Sequence, residues 1–220
     1  RVGRAPAWRG RSDTETLLGA CDAWGIEAAV KRSVGMFAFA VWDKETSALT
    51  LGRDRLGEKP MYYGWTGQLF LFGSELKALK AHPAFAASVD RNALAAFVRY
   101  AYIPAPQSIY RGIYKLPAAT LLTVCGARHA DAVPRPYWSL LEVARAGMRA
   151  PFAGSDEEAL ALLEARLSEA VSLQQMSDVP LGAFLSGGID SSTIVALMQA
   201  QSSRPVHTFT IGFEDAQFNE

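Results

Sequence analysis

Residues 177–192 read SDVPLGAFLSGGIDSS, and the fold of the chain turns on them. Leu181, Ala183, Phe184 and Leu185 form a short apolar run of the kind expected of a buried strand, and it stops at Ser186, Gly187 and Gly188. A helical stretch from about Asp190 to Ala200 follows. A strand therefore delivers a turn of small residues to the start of a helix. The two glycines reach backbone angles closed to other residues and carry no Cβ, so a ligand can approach the main chain closely. Unpaired amides of the first helical turn, the hydroxyls of Ser186, Ser191 and Ser192, and the positive end of the helix dipole converge on one point, which suits an anion.

This stretch resembles the pyrophosphate-binding PP-loop, S-G-G-x-D-S-S, of the ATP pyrophosphatase enzymes. It differs from the Walker-type loop because no lysine follows the glycines. A lone SGG would read as a turn before an ordinary helix; the apolar strand in front, with Asp190, Ser191 and Ser192 in register, favours the PP-loop. The longer pattern narrows the resemblance to glutamine-hydrolysing asparagine synthetases and their close relatives.

With 220 residues, half of them apolar, the chain can bury a sizeable core in one or two domains. Its 22 basic and 22 acidic residues balance, so gross charge points to neither a nucleic-acid nor a membrane partner. Cys21 and Cys125 stand apart, without the spacing of a zinc site or disulfide framework. No apolar run is long enough to cross a bilayer, and the opening RVGRAPAWRGRSDTE is too polar for a signal peptide. A soluble cytoplasmic enzyme is the expectation. Both ends read as cut, so an internal piece of a longer protein is expected.

Ser12 and Glu15 carry the spacing of a capping box before a helix from about Asp13 to Trp24. From Gly35 the period becomes two: MFAFAVWD, KETS and ALTLGRD read as a hairpin, and MYYGW, TGQ and LFLFGSE as a second. Phe37, Phe39 and Val41 are expected to meet Met61, Tyr63 and Trp65 across the sheet core. Arg53 and Asp54 read as ligand-binding residues or, in preference, as a structural ion pair with loop contacts. A short helix is expected over Ser74–Lys80, then a second helix capped by Asp90 and running through Leu94, Phe97 and Val98. YAYIPAPQSIYRGIYKLPAATLLTV reads as a connector and a strand, and residues 126–155 as a linker. Ser155 and Glu158 form another capping box, before a helix whose stripe Leu160, Leu163, Leu167 and Val171 is expected to pack on a sheet. VHTFTIG, residues 206–212, reads as the next parallel strand. His82, His129 and His207 stand alone in sequence and are assigned to no metal or catalytic role.

Two further segments carry the resemblance. RGRSDTETLL is similar to the G-x-S-D-[TC]-E segment of class II glutamine amidotransferases, where the aspartate holds the α-amino group of glutamine, and this implies that role for Asp13; by position alone Asp13 reads as a first-turn acid. Residues 35–80 resemble the later half of the glutaminase domain continuously. The implied fold is an α+β domain like the N-terminal-nucleophile hydrolases, with antiparallel sheets and helices, followed by the start of an α/β doubly wound PP-loop nucleotide-binding domain. The implied domains are a partial glutaminase at 1–125, a linker at 126–155 and the start of a synthetase domain at 156–220.

The resemblance implies that ATP activates the side-chain carboxylate of aspartate as an acyl adenylate, releasing pyrophosphate, and that ammonia from glutamine gives asparagine. Ser186, Gly187, Gly188, Ser191 and Ser192 would cradle the phosphates, and Leu185 and Ile211 would face the adenine through backbone and apolar contacts. Asp190 reads equally as a helix N-cap and as a residue positioning the loop or Mg2+. Class II glutaminases use a cysteine at the mature N-terminus with its own amine as base. The sequence opens with Arg1, and neither Cys21 nor Cys125 supplies a terminal amine, so no catalytic residue is assigned and these residues alone are expected not to hydrolyse glutamine. A β-lactam synthetase, a polysaccharide-cluster amidotransferase acting on another carboxylate and a non-catalytic nucleotide-binding module stay open, as does a homodimer of the parent protein.

Overall fold

Ser12, in extended conformation, ends the approach to helix α1 (Asp13–Trp24), and its hydroxyl accepts from the N–H of Thr14. Neither half of the expected capping box forms, since the hydroxyl takes the N–H of Thr14 rather than that of Glu15. The Glu15 carboxylate reaches past Ser12 and accepts from the amides of Arg9 and Gly10, both at 2.8 Å. Two upstream donors are satisfied in place of one. Gly25, at φ +82, closes α1 and opens a helix the sequence reading missed, α2 (Ile26–Arg32), whose Val30 is fully buried. The computed structural model describes residues 8–10, 12–126 and 132–212. They fall into two units, Arg1–Ala146 and Gly147–Glu220.

Both expected hairpins are present. Strands β1 (Ala38–Asp43) and β2 (Ala48–Arg53) pair antiparallel, with Asp43 accepting from Glu45 and Thr46 in the turn. Strands β3 (Tyr62–Thr66) and β4 (Leu69–Gly73) form the second hairpin. The connector holds a strand that its prolines and aromatics concealed, β5 (Ile113–Lys115), which pairs with β3. The antiparallel strands β6 (Thr120–Cys125) and β7 (Arg135–Pro136) complete a sheet ordered β1-β2-β6-β7 beside one ordered β4-β3-β5.

The main core lies where Leu51, Leu122 and Val124 of the first sheet meet Met61, Tyr63 and Leu116. Phe37 and Phe39 are not part of it. They turn to the opposite face of their sheet and pack with Val30, Ala119 and Tyr137. The error was one of parity: β1 sends alternate residues to opposite faces, and the bulkier set goes to the helix side. Gly52, opposite Phe39, makes room, since a Cβ there would stand 2.3 Å from the Phe39 ring.

Helices α3 (Leu76–Lys80) and α4 (Arg91–Tyr100) follow the second hairpin, and the Asp90 carboxylate caps α4 through the amides of Asn92 and Ala93. Leu94, Phe97 and Val98 nevertheless lie exposed, and α4 buries Ala93 instead. The stretch expected as a linker carries structure: β7, the buried Tyr137, and helix α5 (Leu140–Arg149), which crosses the division between the units. In the second unit, Ser155 and Glu158 do form the capping box, at the start of α6 (Asp156–Gln174). Only the later part of its apolar stripe is covered: Val171 is buried, whereas Leu160 and Leu163 are exposed. Strand β8 (Gly182–Phe184), helix α7 (Ile189–Ala200) and strand β9 (His207–Phe209) make a parallel strand–helix–strand unit. The apolar run before the glycines is not buried among the described residues, since a two-stranded sheet has little to cover it; Phe184 is 74% exposed. No described helix is long and apolar enough to cross a membrane.

Arg53 and Asp54 do not neutralise each other by direct pairing. Each satisfies backbone. The guanidinium donates to the carbonyls of Gly57, Lys59 and Leu116. The Asp54 carboxylate, 1% exposed, accepts from the amides of Phe37, Leu56, Glu58 and Lys59. Its own N–H bonds the Phe37 carbonyl and its own carbonyl accepts from Ala119. Tyr137 closes the same knot by donating its hydroxyl to the Arg53 carbonyl at 2.9 Å, and burial pushes that phenol up to about 12. Burial alone would raise the Asp54 pKa, but the backbone donors outweigh it and hold the carboxyl below its usual value.

A folded-state pKa below the unfolded one stabilises above the unfolded value, about 3.9 for aspartate, and that stabilisation is lost as pH falls through the folded value. Asp54→Asn should therefore lower stability at neutral pH by about 2–3 kcal/mol, because the buried backbone donors lose their charged acceptor. It should also flatten the decline below about pH 4. Denaturant melts of both forms between neutral and acid pH measure this.

Candidate functional site

Strand β8 ends where the chain bends. The Leu185 N–H donates to the Phe209 carbonyl at 2.9 Å, and the Thr210 hydroxyl donates to the Leu185 carbonyl at 2.6 Å. The carboxyl ends of the two parallel strands are thereby tied side by side, the place where open α/β sheets collect ligands. Thr210 was not singled out from sequence; its only signal was a hydroxyl directly after an apolar strand. Both polar main-chain groups of Leu185 take part in this tie, and the carbonyl keeps a second lone pair. Ile211 is 68% exposed beside it.

Past Leu185, Gly187 takes φ +80, and a Cβ added there would meet nothing within 4 Å. Gly188 is the N-cap of α7 and brings no side chain to cap it. The reading of Asp190 as the N-cap is therefore set aside; it is the second residue of the helix and exposed. Among the described residues the amides of Gly187, Gly188, Ile189 and Asp190 have no acceptor, and the first turn is closed only by Ser192 N–H on the Gly188 carbonyl at 3.1 Å. Four donors without acceptors and the positive end of α7 thus meet at a turn where Gly187 and Gly188 add no side chains of their own. Ser186, Ser191 and Ser192 stand around that bend, so all the expected phosphate-cradle residues are brought together.

That arrangement fits the phosphates of ATP: it offers donors in a fixed array to an anion with acceptors only. For Mg2+ it offers one carboxylate, Asp190, and no group of three or more His, Cys, Asp or Glu side chains that could hold a metal occurs among the described residues. A single carboxylate suits an ion carried mainly by substrate phosphates.

Asp13 stands in the first unit at the first position of α1, exposed, with Oδ1 accepting from the Thr14 N–H at 2.7 Å and the Ser12 hydroxyl at 3.3 Å. Its other carboxylate oxygen has no partner among the described residues. Of the isolated histidines, His129 lies outside the described residues. A cavity of about 470 Å³ opens on the helix-facing side of the four-stranded sheet, lined among others by Thr50, Thr123, Cys125 and Arg135, and contains none of the expected site residues.

Residues 2–138 match the family model described as a glutamine amidotransferase domain. The chain belongs to this glutamine amidotransferase domain family. Residues 162–220 match a second model, described as asparagine synthase, so the amidotransferase segment is followed on the same chain by the segment with the SGG bend. The chain is 37% identical over 209 residues to asparagine synthetase [glutamine-hydrolyzing] 3 of Bacillus subtilis, covering 93% of this chain and 32% of that protein. It is 36% identical over 206 residues to a Methanocaldococcus jannaschii protein provisionally named as asparagine synthetase [glutamine-hydrolyzing] 2, covering 92% and 38%. It is 28% identical over 193 residues to the amidase chyE of Penicillium rubens. The chain thus spans about a third of the length of the curated relatives it matches.

Since space around Gly187 is open, a side chain there should act through the backbone alone. Gly187→Val should cost about 1–2 kcal/mol in the local stability of the bend, and Gly187→Asn less, because asparagine tolerates positive φ. Amide hydrogen exchange over residues 186–191 reads the difference.

Proposed function

We propose that the protein makes asparagine from aspartate, glutamine and ATP, with residues 1–125 as part of an N-terminal-nucleophile glutaminase domain and 156–220 as the start of a PP-loop synthetase domain. The observation that carries this reading is the turn into α7, where the amides of Gly187–Asp190 have no acceptor among the described residues, on a chain of the amidotransferase family. A carboxylate is a poor acyl donor. Attack by the aspartate side-chain oxygen on the α-phosphorus of ATP forms the acyl–phosphate bond and breaks the bond to pyrophosphate. Ammonia then attacks the acyl carbon and AMP leaves with its bonding pair, the ammonium nitrogen losing a proton.

The bend serves the first step. Negative charge gathers on the departing pyrophosphate, and amides already aimed there stabilise it without reorganising. Mg2+, steadied by Asp190, would share that charge and supply Lewis-acid polarisation. Leu185 and Ile211 would flank the adenine. Asp13, with one carboxylate oxygen uncommitted, would hold the α-amino group of glutamine in the other unit. The enzyme would act in the cytoplasm on small molecules, and its balanced charge accords with such substrates.

The test uses the full-length protein with ATP, Mg2+ and glutamine, with and without aspartate. Equal amounts of AMP, pyrophosphate and asparagine, dependent on aspartate, are expected; AMP formation with another carboxylate alone, or none at all, overturns the reading. Asp13→Asn should raise the KM for glutamine at least about tenfold, the loss of a charge-assisted hydrogen bond, and leave the reaction driven by added ammonium salts unchanged.

A further inference from the structure

The three serines around the bend are not equivalent, and counting their protons separates them. The Ser191 hydroxyl lies 3.1 Å from the Gly188 carbonyl oxygen, and because a carbonyl only accepts, Ser191 must donate there. Its oxygen accepts from the Ser186 N–H at 3.3 Å. With its single proton committed, its 3.2 Å contact with the Ser186 hydroxyl has one polarity: Ser186 donates and Ser191 accepts. A serine hydroxyl carries one donor and two lone pairs. At Ser191 all three are occupied.

A phosphate oxygen needs donors. Ser191 has none left, and Ser186 has one only if it breaks with Ser191. Ser192 differs from both: its hydroxyl is exposed and has no partner among the described residues, while its N–H closes the first turn of α7. Ser191 is the more covered of the two and ties the residue before the bend, Ser186, to the residue after it, Gly188. Between them sits Gly187, whose backbone has no side chain to restrain it.

We propose that Ser191 is a positioning residue that braces the bend from behind in the unliganded protein, and that pyrophosphate is met by the amides of Gly187–Asp190 and by the Ser192 hydroxyl. The proposal rests on the phosphate reading above. Its physical content is preorganisation: two consecutive glycines would otherwise have to be ordered when the ligand arrives, and that ordering would be subtracted from affinity. Ser186 joins the ligand only by surrendering its hydroxyl bond to Ser191, and the Ser186 N–H remains on the brace.

The experiment compares full-length wild type, Ser191→Ala, Ser191→Thr and Ser192→Ala by two readouts: hydrogen exchange at the Ser186 amide without ligand, and titration calorimetry with inorganic pyrophosphate and Mg2+. Ser191→Ala is expected to speed Ser186 exchange about tenfold, the loss of one hydrogen bond, and to weaken pyrophosphate binding. Ser191→Thr, which keeps the hydroxyl, should restore both. Ser192→Ala should weaken pyrophosphate binding about tenfold, the loss of a charge-assisted bond, with Ser186 exchange as in wild type. Unchanged Ser186 exchange in Ser191→Ala overturns the brace, and if pyrophosphate binding nevertheless weakens, Ser191 is a direct ligand. Wild-type protein that binds no pyrophosphate, with Ser186 exchange still sensitive to Ser191→Ala, overturns the phosphate reading and the brace's purpose while leaving its geometry standing.

Discussion

A buried carboxylate with no cation on it holds the first unit together. Asp54 is inside the protein, its charge met by four backbone amides, and the chain around it is fixed by that need. Desolvating a carboxylate without such donors would cost more than the fold could sustain. The requirement therefore places the start of β1, the loop after β2 and the residues before β6 at one point. The neighbouring guanidinium follows the same rule from the opposite sign, with carbonyls as partners. Once this knot is tied, β2 lies between β1 and β6, and the face carrying Leu51 and Leu122 is presented to Met61 and Tyr63.

The second unit is organised on a different principle. Where Asp54 gathers its donors inward, the turn into α7 leaves the amides of Gly187–Asp190 without acceptors among the described residues. Exposed amides are tolerable because water reaches them, and they become useful when an anion replaces that water. The tie between Leu185, Phe209 and Thr210 keeps the strand ends together beside the bend. A chain that carries both units in this order has one segment that matches a glutamine amidotransferase model and one that matches an asparagine synthase model.

Much of this was legible from local pattern. The two hairpins announced themselves by period and turn residues, and the caps at Asp90 and Ser155 by residue type and spacing. Side-chain direction was less legible. The alternation of β1 shows two faces without saying which meets the other sheet, and Phe37 and Phe39 were placed on the wrong one. The apolar positions of α4 and the early part of α6 mark a face, yet that face lies open. Glu15 had the spacing of a capping partner but found two better donors upstream. Arg53 beside Asp54 suggested an ion pair, whereas the backbone takes both charges. The saturation of Ser191 was beyond any sequence pattern, because the polarity of a hydroxyl depends on where a carbonyl stands in space.

The reach of Tyr137 bears on how the protein is made. Its hydroxyl closes on the carbonyl of a residue 84 positions earlier, and its ring helps to cover Val30, Phe37 and Phe39. A growing chain leaves the ribosome from the N-terminal side, so the first sheet waits for the last of these partners through the synthesis of both hairpins and α4. Until then those rings and the Arg53 carbonyl lack their cover. Translation speed over the stretch up to β7 thus sets how long an unfinished sheet face stands open to chaperones and to neighbouring nascent chains.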